Sequence, residues 1–330
     1  ARIYNFEGLN LSHNVQFNIR NSAAGFTRRF MNHYLMADGS RFTEKEGHET
    51  MSYTEETAGR DPRMAQTVLC PGYIAKGEES VTANDMTAMT GYEPIKFVST
   101  AAHSGASKGT SDWPLFRTAE VYLNYAEAKA ELGTLTQADI DLSIKKLRDR
   151  VGMPNLDMDH ANANPDPYLS APETGYPNVT GPNKGVLLEI RRERAIELVA
   201  EGMRFDDLRR WKCGSLMETL PWSGIHIPGL EQPVDVNGDG VNDYYFTEGE
   251  VASAPAAYKN IAVRVNQDGV GLYAEANPVS GYDLVYKTGA GDRYWYPDGR
   301  QYLYPIPAKV IRDYRNAGYT ISQNPEWDNE

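Results

Sequence analysis

The sequence predicts a mostly α fold, with αα-hairpins supporting a large irregular region. Three observations carry that expectation. Apolar residues recur at spacings of three and four from Leu115 to Ala130 and again from Leu187 to Met203. A connection of a few residues joins the first of these helices to another, which forces the pair antiparallel. Residues 155–184 and 214–300 are instead rich in turn formers and hold no sustained period. The chain has 330 residues, 41 % apolar and 24 % charged, so it holds one large domain or two ordinary ones and is not a disordered tail. It lacks the run of about 18 apolar residues that a bilayer-crossing helix needs.

Residues 1–111 read as a loop-rich part. Phe26 to Met36 has some helical pattern, closed by Asp38-Gly39. Asp61-Pro62-Arg63 has the form of a helix start, because Pro is tolerated in the first turn and an acid suits its positive end. That helix would carry Met64, Val68 and Leu69 and stop at Pro71-Gly72. Gly, Ser, Ala and Thr dominate 99–111, which reads as an exposed loop.

Residues 112–213 read as helical hairpins. A helix begins at Asp112, with Pro114 in its first turn and Ala119, Tyr122, Leu123, Ala126 and Ala130 on one face; Gly133 ends it. Thr136 and Asp139 have the spacing of a capping box. Ile140, Ile144, Leu147 and Val151 mark the returning helix, stopped by Gly152 and Pro154. Residues 155–184 form a surface excursion. Val186 to Trp211 is helical again, split near Glu201-Gly202. Residues 214–330 form a second loop-rich part, rich in aromatics, closed by a short helix from Ala308 to Arg315. The two helix pairs have roughly tetratricopeptide size, and about three such units are normally needed to bury their faces. Part of the fold is therefore expected outside this chain, with an apolar patch where missing helices would pack.

Five segments resemble the SusD/RagB family, surface glycan-binding lipoproteins of Bacteroidetes. Arg117-Thr118-Ala119-Glu120-Val121-Tyr122-Leu123-Asn124-Tyr125-Ala126-Glu127-Ala128 is similar to its R-x-A-E-V-Y-L-x-Y-A-E-A helix. Arg148-Asp149-Arg150-Val151-Gly152-Met153-Pro154 is similar to R-x-R-A-G-M-P. Glu193-Arg194 through Leu198, then Glu201-Gly202-Met203-Arg204 through Trp211, follow E-R-x-x-E-L-x-x-E-G-x-R-x-x-D-L-x-R-W. Tyr302-Leu303-Tyr304-Pro305-Ile306-Pro307 with Gln323-Asn324-Pro325-Glu326-Trp327 resembles the closing Y-L-Y-P-I-P … Q-N-P-x-W. Upstream, Asp38-Gly39 and Arg60-Asp61-Pro62-Arg63 resemble its D-G turn and R-D-P-R helix start. The resemblance spans 36–327 and implies an α/α superhelix of SusD type. It further implies that this is the C-terminal region of a longer lipoprotein, without the family's N-terminal helices and lipid anchor. Such a protein stands on the outer-membrane surface and captures glycans for a SusC-like TonB-dependent transporter. Peptide-binding members of the family keep a second reading open.

The motif residues themselves read as structural. Arg204, Asp206 and Asp207 would tie the last helix pair to its neighbours, Glu120 and Glu127 would satisfy buried donors, and Trp113 and Trp211 would anchor the core. With 45 acidic against 33 basic residues, the chain has no bulk basic footprint for nucleic acid or anionic lipid. No zinc-protease, serine-hydrolase, P-loop or dinucleotide signature occurs, and the six His show no ligand spacing, so enzyme activity is not expected. Carboxylate pairs suited to a glycosidase are inevitable among 45 acids and count for little. Cys70 and Cys213 read as free buried thiols, with a single bridge as the alternative.

Two local features point to ligands. Asp235, Asn237, Asp239, the Val241 carbonyl and Asp243 follow the oxygen pattern of a calcium loop, and Gly240 permits its turn. Position twelve is Phe246, not Glu, leaving Glu248 or Glu250 to substitute; the alternative is a solvated turn. Glycan recognition needs flat apolar rings beside polar groups. With 21 Tyr against 9 Phe, wet aromatic surfaces are available. The densest stretch runs from Tyr282 to Tyr304 and includes Tyr286, Arg293, Tyr294, Trp295 and Tyr296. Tyr53, Tyr73 and Tyr92 are further candidates. Neighbours in an extended segment alternate in direction, and the larger ring, Trp295, is expected to face the ligand.

Overall fold

The computed structural model describes residues 2–4, 8–9, 11–22, 25–218, 222–269, 271–287 and 294–327. Among them it is mostly α, with twelve α-helices and three small sheets. The helix Thr118–Glu131 buries Ala119, Leu123, Ala126, Glu127 and Ala130 along one face. It starts later than the sequence suggests. Trp113–Phe116 is a strand, paired antiparallel with Arg2–Tyr4, and both strands are edges, where Pro114 is tolerated. Gly133, at φ +68°, closes the helix.

The capping box at Thr136 and Asp139 forms as expected. The returning helix does not run through: it divides into Gln137–Leu142 and Ile144–Asp149 at Ser143. The Ser143 hydroxyl donates to the Asp139 carbonyl at 2.6 Å, a local bond that competes with helix continuation. Phe26 to Met36 contributes only the turn of helix Arg28–Met31, capped by Thr27. Asp61 caps Pro62–Ala65 through the Arg63 amide, so that helix is also a single turn.

Residues 155–184 are not a surface excursion. They form helices Met158–Ala163 and Pro167–Ser170 and bury Leu156, Ala161, Leu169, Tyr176 and Val179 in the core. Polar and apolar residues there share single turns, which hides the pattern. Lys184–Glu197 and Arg204–Arg210 are separate helices, divided at Gly202 with φ +86°. Residues 214–300 also hold more order than their turn content implies. Trp222–Ile227, Tyr282–Tyr286 and Leu272–Ala276 make one antiparallel sheet. Pro233–Val234, Tyr244–Thr247 and Ala262–Arg264 make another. Each strand is two to six residues long, too short for alternation to stand out.

Two apolar cores result. One lies among the helices of 118–216. The other joins Met31, Tyr34, Tyr53 and Tyr92 to Ile225, Phe246 and Leu284 of the sheets. A buried ion network stands between them. Arg63 pairs with Asp61, Glu193 and Glu197, and Arg148 also reaches Glu193. Arg117 and Arg150 meet Glu197, and Arg117 and Lys96 meet Glu201. The cysteines are both free and buried. Exposed apolar side chains remain at Leu115, Phe116, Val121, Leu132 and Leu142. The helix Ala308–Asn316 buries none of its residues. Among the described residues no helix is long and apolar enough to cross a membrane.

Candidate functional site

An aromatic pocket of about 330 Å3 opens beside the last helix pair. Phe205 comes from helix Arg204–Arg210, and Met217 and Glu218 from the turn that follows it. Tyr294 and Trp295, then Gln301, Leu303, Tyr304 and Pro305, form the opposite side, with Trp327 closing it. The volume falls at the small end of ligand sites, about 300–1,000 Å3.

Among the described residues the segment 294–307 pairs with no strand, and beyond its own turns side chains satisfy its backbone. Gln323 bonds both the amide and the carbonyl of Ile306, at 2.7 and 3.0 Å. Asn324 donates to the Tyr304 carbonyl, and the Trp327 indole donates to the carbonyls of Arg300 and Leu303. Arg209 donates to the carbonyls of Gln301 and Tyr302, and its guanidinium lies 3.9 Å from the centre of the Tyr304 ring. The closing motif is thus a clasp that holds the pocket wall. Tyr294 and Tyr304 keep 55 % and 64 % of their surface exposed, which leaves ring faces available.

Trp295 does not face outward. It is 8 % exposed and packs on Gly214 and Tyr302, while Tyr294 and Tyr296 turn toward solvent. A Cβ on Gly214 would stand 2.1 Å from the indole, so only glycine allows the approach. Alternation holds with the opposite phase: the largest ring takes the buried side because it gains most from leaving water. One edge of Trp295 still lines the pocket. Tyr92 is fully buried; its hydroxyl accepts from Arg28, and its ring packs on buried Tyr53, so neither ring meets a ligand. Tyr73 is half-buried and is not part of this pocket. Tyr296 lies under the Arg300 guanidinium, and Arg293 lies outside the described residues. Gln301, Leu303 and Tyr304 lie within the stretch 282–304 expected to carry the glycan surface, whereas Phe205, Met217, Glu218, Pro305 and Trp327 lie outside it. The paired aromatics of the closing motif were the available signal.

A larger cavity of about 500 Å3 lies between the Asp38-Gly39 turn and 154–164. Its arginines are paired, Arg148 with Glu193 and Arg41 with Glu44 and Asp166, although Arg148 Nη2 and Asn155 Oδ1 are buried without a hydrogen-bond partner. It carries no aromatic platform apart from the His160 ring.

The motif charges act structurally. Glu127 accepts from Arg210 at 2.5 and 2.7 Å and from the Trp211 indole at 2.6 Å. Burial pushes its carboxyl up, but these donors together hold it below the usual value. Asp207 is buried against Arg194 and Arg210, and Arg204 donates to the Tyr176 hydroxyl. Asp206 is instead exposed, 3.6 Å from Arg209. Trp211 is buried, and half-buried Trp113 stacks on Phe97.

In the 235–243 loop the side-chain oxygens turn to backbone amides. Asp235 accepts from Gly238 and Gly240, Asn237 from Asp239, Asp239 from Val241, and Asp243 from Val236 and Asn237. Glu248 accepts from Asn266 through one oxygen, and exposed Glu250 pairs with Arg264. Among the described residues no three His, Cys, Asp or Glu side chains gather as a metal site.

Comparison with solved structures finds a SusD-like protein from Bacteroides fragilis NCTC 9343, with 20 % identity and a TM-score of 0.52. The alignment covers 92 % of this chain and 47 % of that one. The selenomethionine form of BT4246 aligns with 19 % identity and a TM-score of 0.53, over 91 % of this chain and 46 % of that one. A further BT4246 structure gives 20 % and 0.51. The chain therefore spans about half the length of the solved structures it matches, and they share its fold. No curated protein matches it. The SusD family model matches residues 12–327, nearly the whole sequence, in agreement with the ordered motifs and the clasp they build: the chain belongs to the SusD family.

Proposed function

We propose that this chain supplies a non-catalytic binding surface for an oligosaccharide or polysaccharide. On this reading the whole protein sits at the outer-membrane surface, attached by a lipid anchor outside this chain. It hands its glycan to a SusC-like TonB-dependent transporter, and its two helix pairs are tetratricopeptide-like units. Membership of the SusD family suggests a glycan-binding role, and one observation carries the assignment to a site. The pocket presents Phe205, Tyr294, Tyr304 and Trp327 beside Glu218 and Gln301, and sugars offer C–H faces to rings and hydroxyls to polar groups. Calcium at Asp235, Asn237, Asp239, Val241 and Asp243 is a separate proposal, resting on the oxygen pattern and on the left-handed turns at Gly238 and Gly240.

The test is a glycan array followed by calorimetry with the best ligand. Tyr304→Ala is expected to weaken binding about 5- to 30-fold, the equivalent of one ring contact of about 1–2 kcal/mol. Its melting temperature should stay within a few degrees, because the ring is largely exposed. Unchanged affinity in Tyr304→Ala would move the site away from this pocket. Binding of peptides without glycans would favour the second reading, and release of reducing sugar would overturn the non-catalytic one.

A further inference from the structure

A third pocket, of about 280 Å3, opens over the ion network and shares no lining residue with the aromatic one. Arg63, Lys96, Arg117 and Arg150 line it, against only Glu197 and Glu201. With Arg148, Asp61 and Glu193 of the same network included, five cations share four carboxylates. In a chain of net charge −12 this is a local surplus of positive charge. The two lining carboxylates are fully engaged. Glu197 accepts from Arg63, Arg117 and Arg150, and Glu201 from Arg117 and Lys96. Arg150 is not. Its Nη2 donates to Glu197 at 2.9 and 3.1 Å, which holds the guanidinium at the pocket, while its side chain stays 50 % exposed. Its Nε and Nη1 make no hydrogen bond among the described residues, and neither does the amide of exposed Gln66 on the same wall. The apolar wall includes Phe97, whose ring stacks on Trp113 at 4.8 Å. Phe97 stands at φ +66°, an outlier for a bulky residue and of the kind that collects at ligand sites.

These groups suit an anion carried on a ring. A half-exposed guanidinium with unused N–H donors forms charge-assisted bonds to an oxyanion, roughly twice as strong as bonds to a neutral hydroxyl. The surplus charge accepts a carboxylate or sulfate without displacing either glutamate. We propose that this pocket is a second glycan subsite, selective for an acidic sugar. Arg150 binds the carboxylate or sulfate ester, the Gln66 amide meets a ring hydroxyl, and Phe97 faces the sugar's C–H groups. The ligand class rests on the glycan-binding reading above; the place does not, since the aromatic pocket lends it no residue.

Calorimetry at low salt tests this with trigalacturonate and a sulfated galactotriose, each beside a neutral form, the methyl ester or the unsulfated sugar. At least one acid should bind about tenfold or more tightly than its neutral form, the equivalent of one bond to a charged group. The preference should shrink at high salt, because the guanidinium is half-exposed. Arg150→Gln should abolish the preference for the acid. Gln66→Ala should lower affinity for the acid about three- to tenfold, and at an exposed position it leaves the fold intact. Equal affinity for acid and neutral forms, or no binding of either acid, overturns the acidic subsite. An acid preference and affinity untouched by Gln66→Ala, or by Arg150→Gln where that variant folds, places the anion elsewhere and overturns it too. Neutral glycans retained on an array would leave the proposed function standing in each of these cases, whereas no binding of any glycan removes both.

Discussion

Replacing Glu193 with Gln removes the centre of the ion network between the two cores. Its carboxylate is fully buried and accepts from Arg148 at 2.6 Å and from Arg63 at 2.8 and 3.3 Å. Burial alone would push its pKa up, but the two guanidinium groups outweigh it and hold the carboxyl down at about 2, against an ordinary 4.5. That drop corresponds to about 3 kcal/mol of folding stability at neutral pH. Breaking a buried pair from one side gives a similar figure, about 3–5 kcal/mol, because the guanidinium charges lose their counterion. The sign follows from linkage. The folded value lies below the unfolded one, so the contribution is complete above about pH 4.5 and fades as pH falls toward 2. Urea denaturation of wild type and Glu193→Gln at pH 7 should differ by about 3–5 kcal/mol. At pH 3.5 the difference should shrink by about 1 kcal/mol. Other carboxylates titrate in both proteins and largely cancel. A loss below about 1 kcal/mol at pH 7, in the range of surface pairs, or a difference that ignores pH, would refute the network's role.

Trp295→Ala should cost about 3–5 kcal/mol in the same assay, the scale of a large core ring, in contrast to the exposed Tyr304. A stability change under about 1 kcal/mol would contradict its inward packing. Calcium in large excess should raise the melting temperature, with up to about 3 kcal/mol available at a hundredfold excess over Kd. A chelator should reverse the shift, and an unchanged curve rejects the calcium proposal. Burial pushes the Cys70 thiol up to about 12, and Cys213 upward as well. Iodoacetamide at pH 8 should therefore spare both in the folded protein and label both in urea, since the thiolate is the reactive form. Rapid labelling of the folded protein contradicts their burial.

Sequence reading succeeded where one physical rule dominated locally. Thr136 with Asp139, Gly133 and Gly202 are set by helix-end chemistry, and each behaves as its residue type requires. It failed where longer-range pairing decides. Trp113–Phe116 is a strand only because Arg2–Tyr4 lies beside it. Strands such as Pro233–Val234 carry too few residues for a period. In the site, alternation through Tyr294, Trp295 and Tyr296 was legible, but its phase was not, since that depends on Gly214, 81 residues before Trp295. Tyr92 shows the same limit: a tyrosine's wet or dry position is set by neighbours such as Arg28, absent from its own segment.

The motifs that identify the family and the surface proposed to bind a ligand overlap, since Leu303, Tyr304, Pro305 and Trp327 of the closing motif line the pocket itself. Arg209 stands at an open position within the helix motif, and its guanidinium holds the carbonyls of Gln301 and Tyr302 and packs on the Tyr304 ring. Gln323, Asn324 and Trp327 of the closing motif secure the same segment from its other side. These contacts are mostly to backbone atoms, so they fix where the wall stands without dictating every side chain on it. Met217 and Glu218 line the pocket but lie outside the motifs and take no part in the clasp.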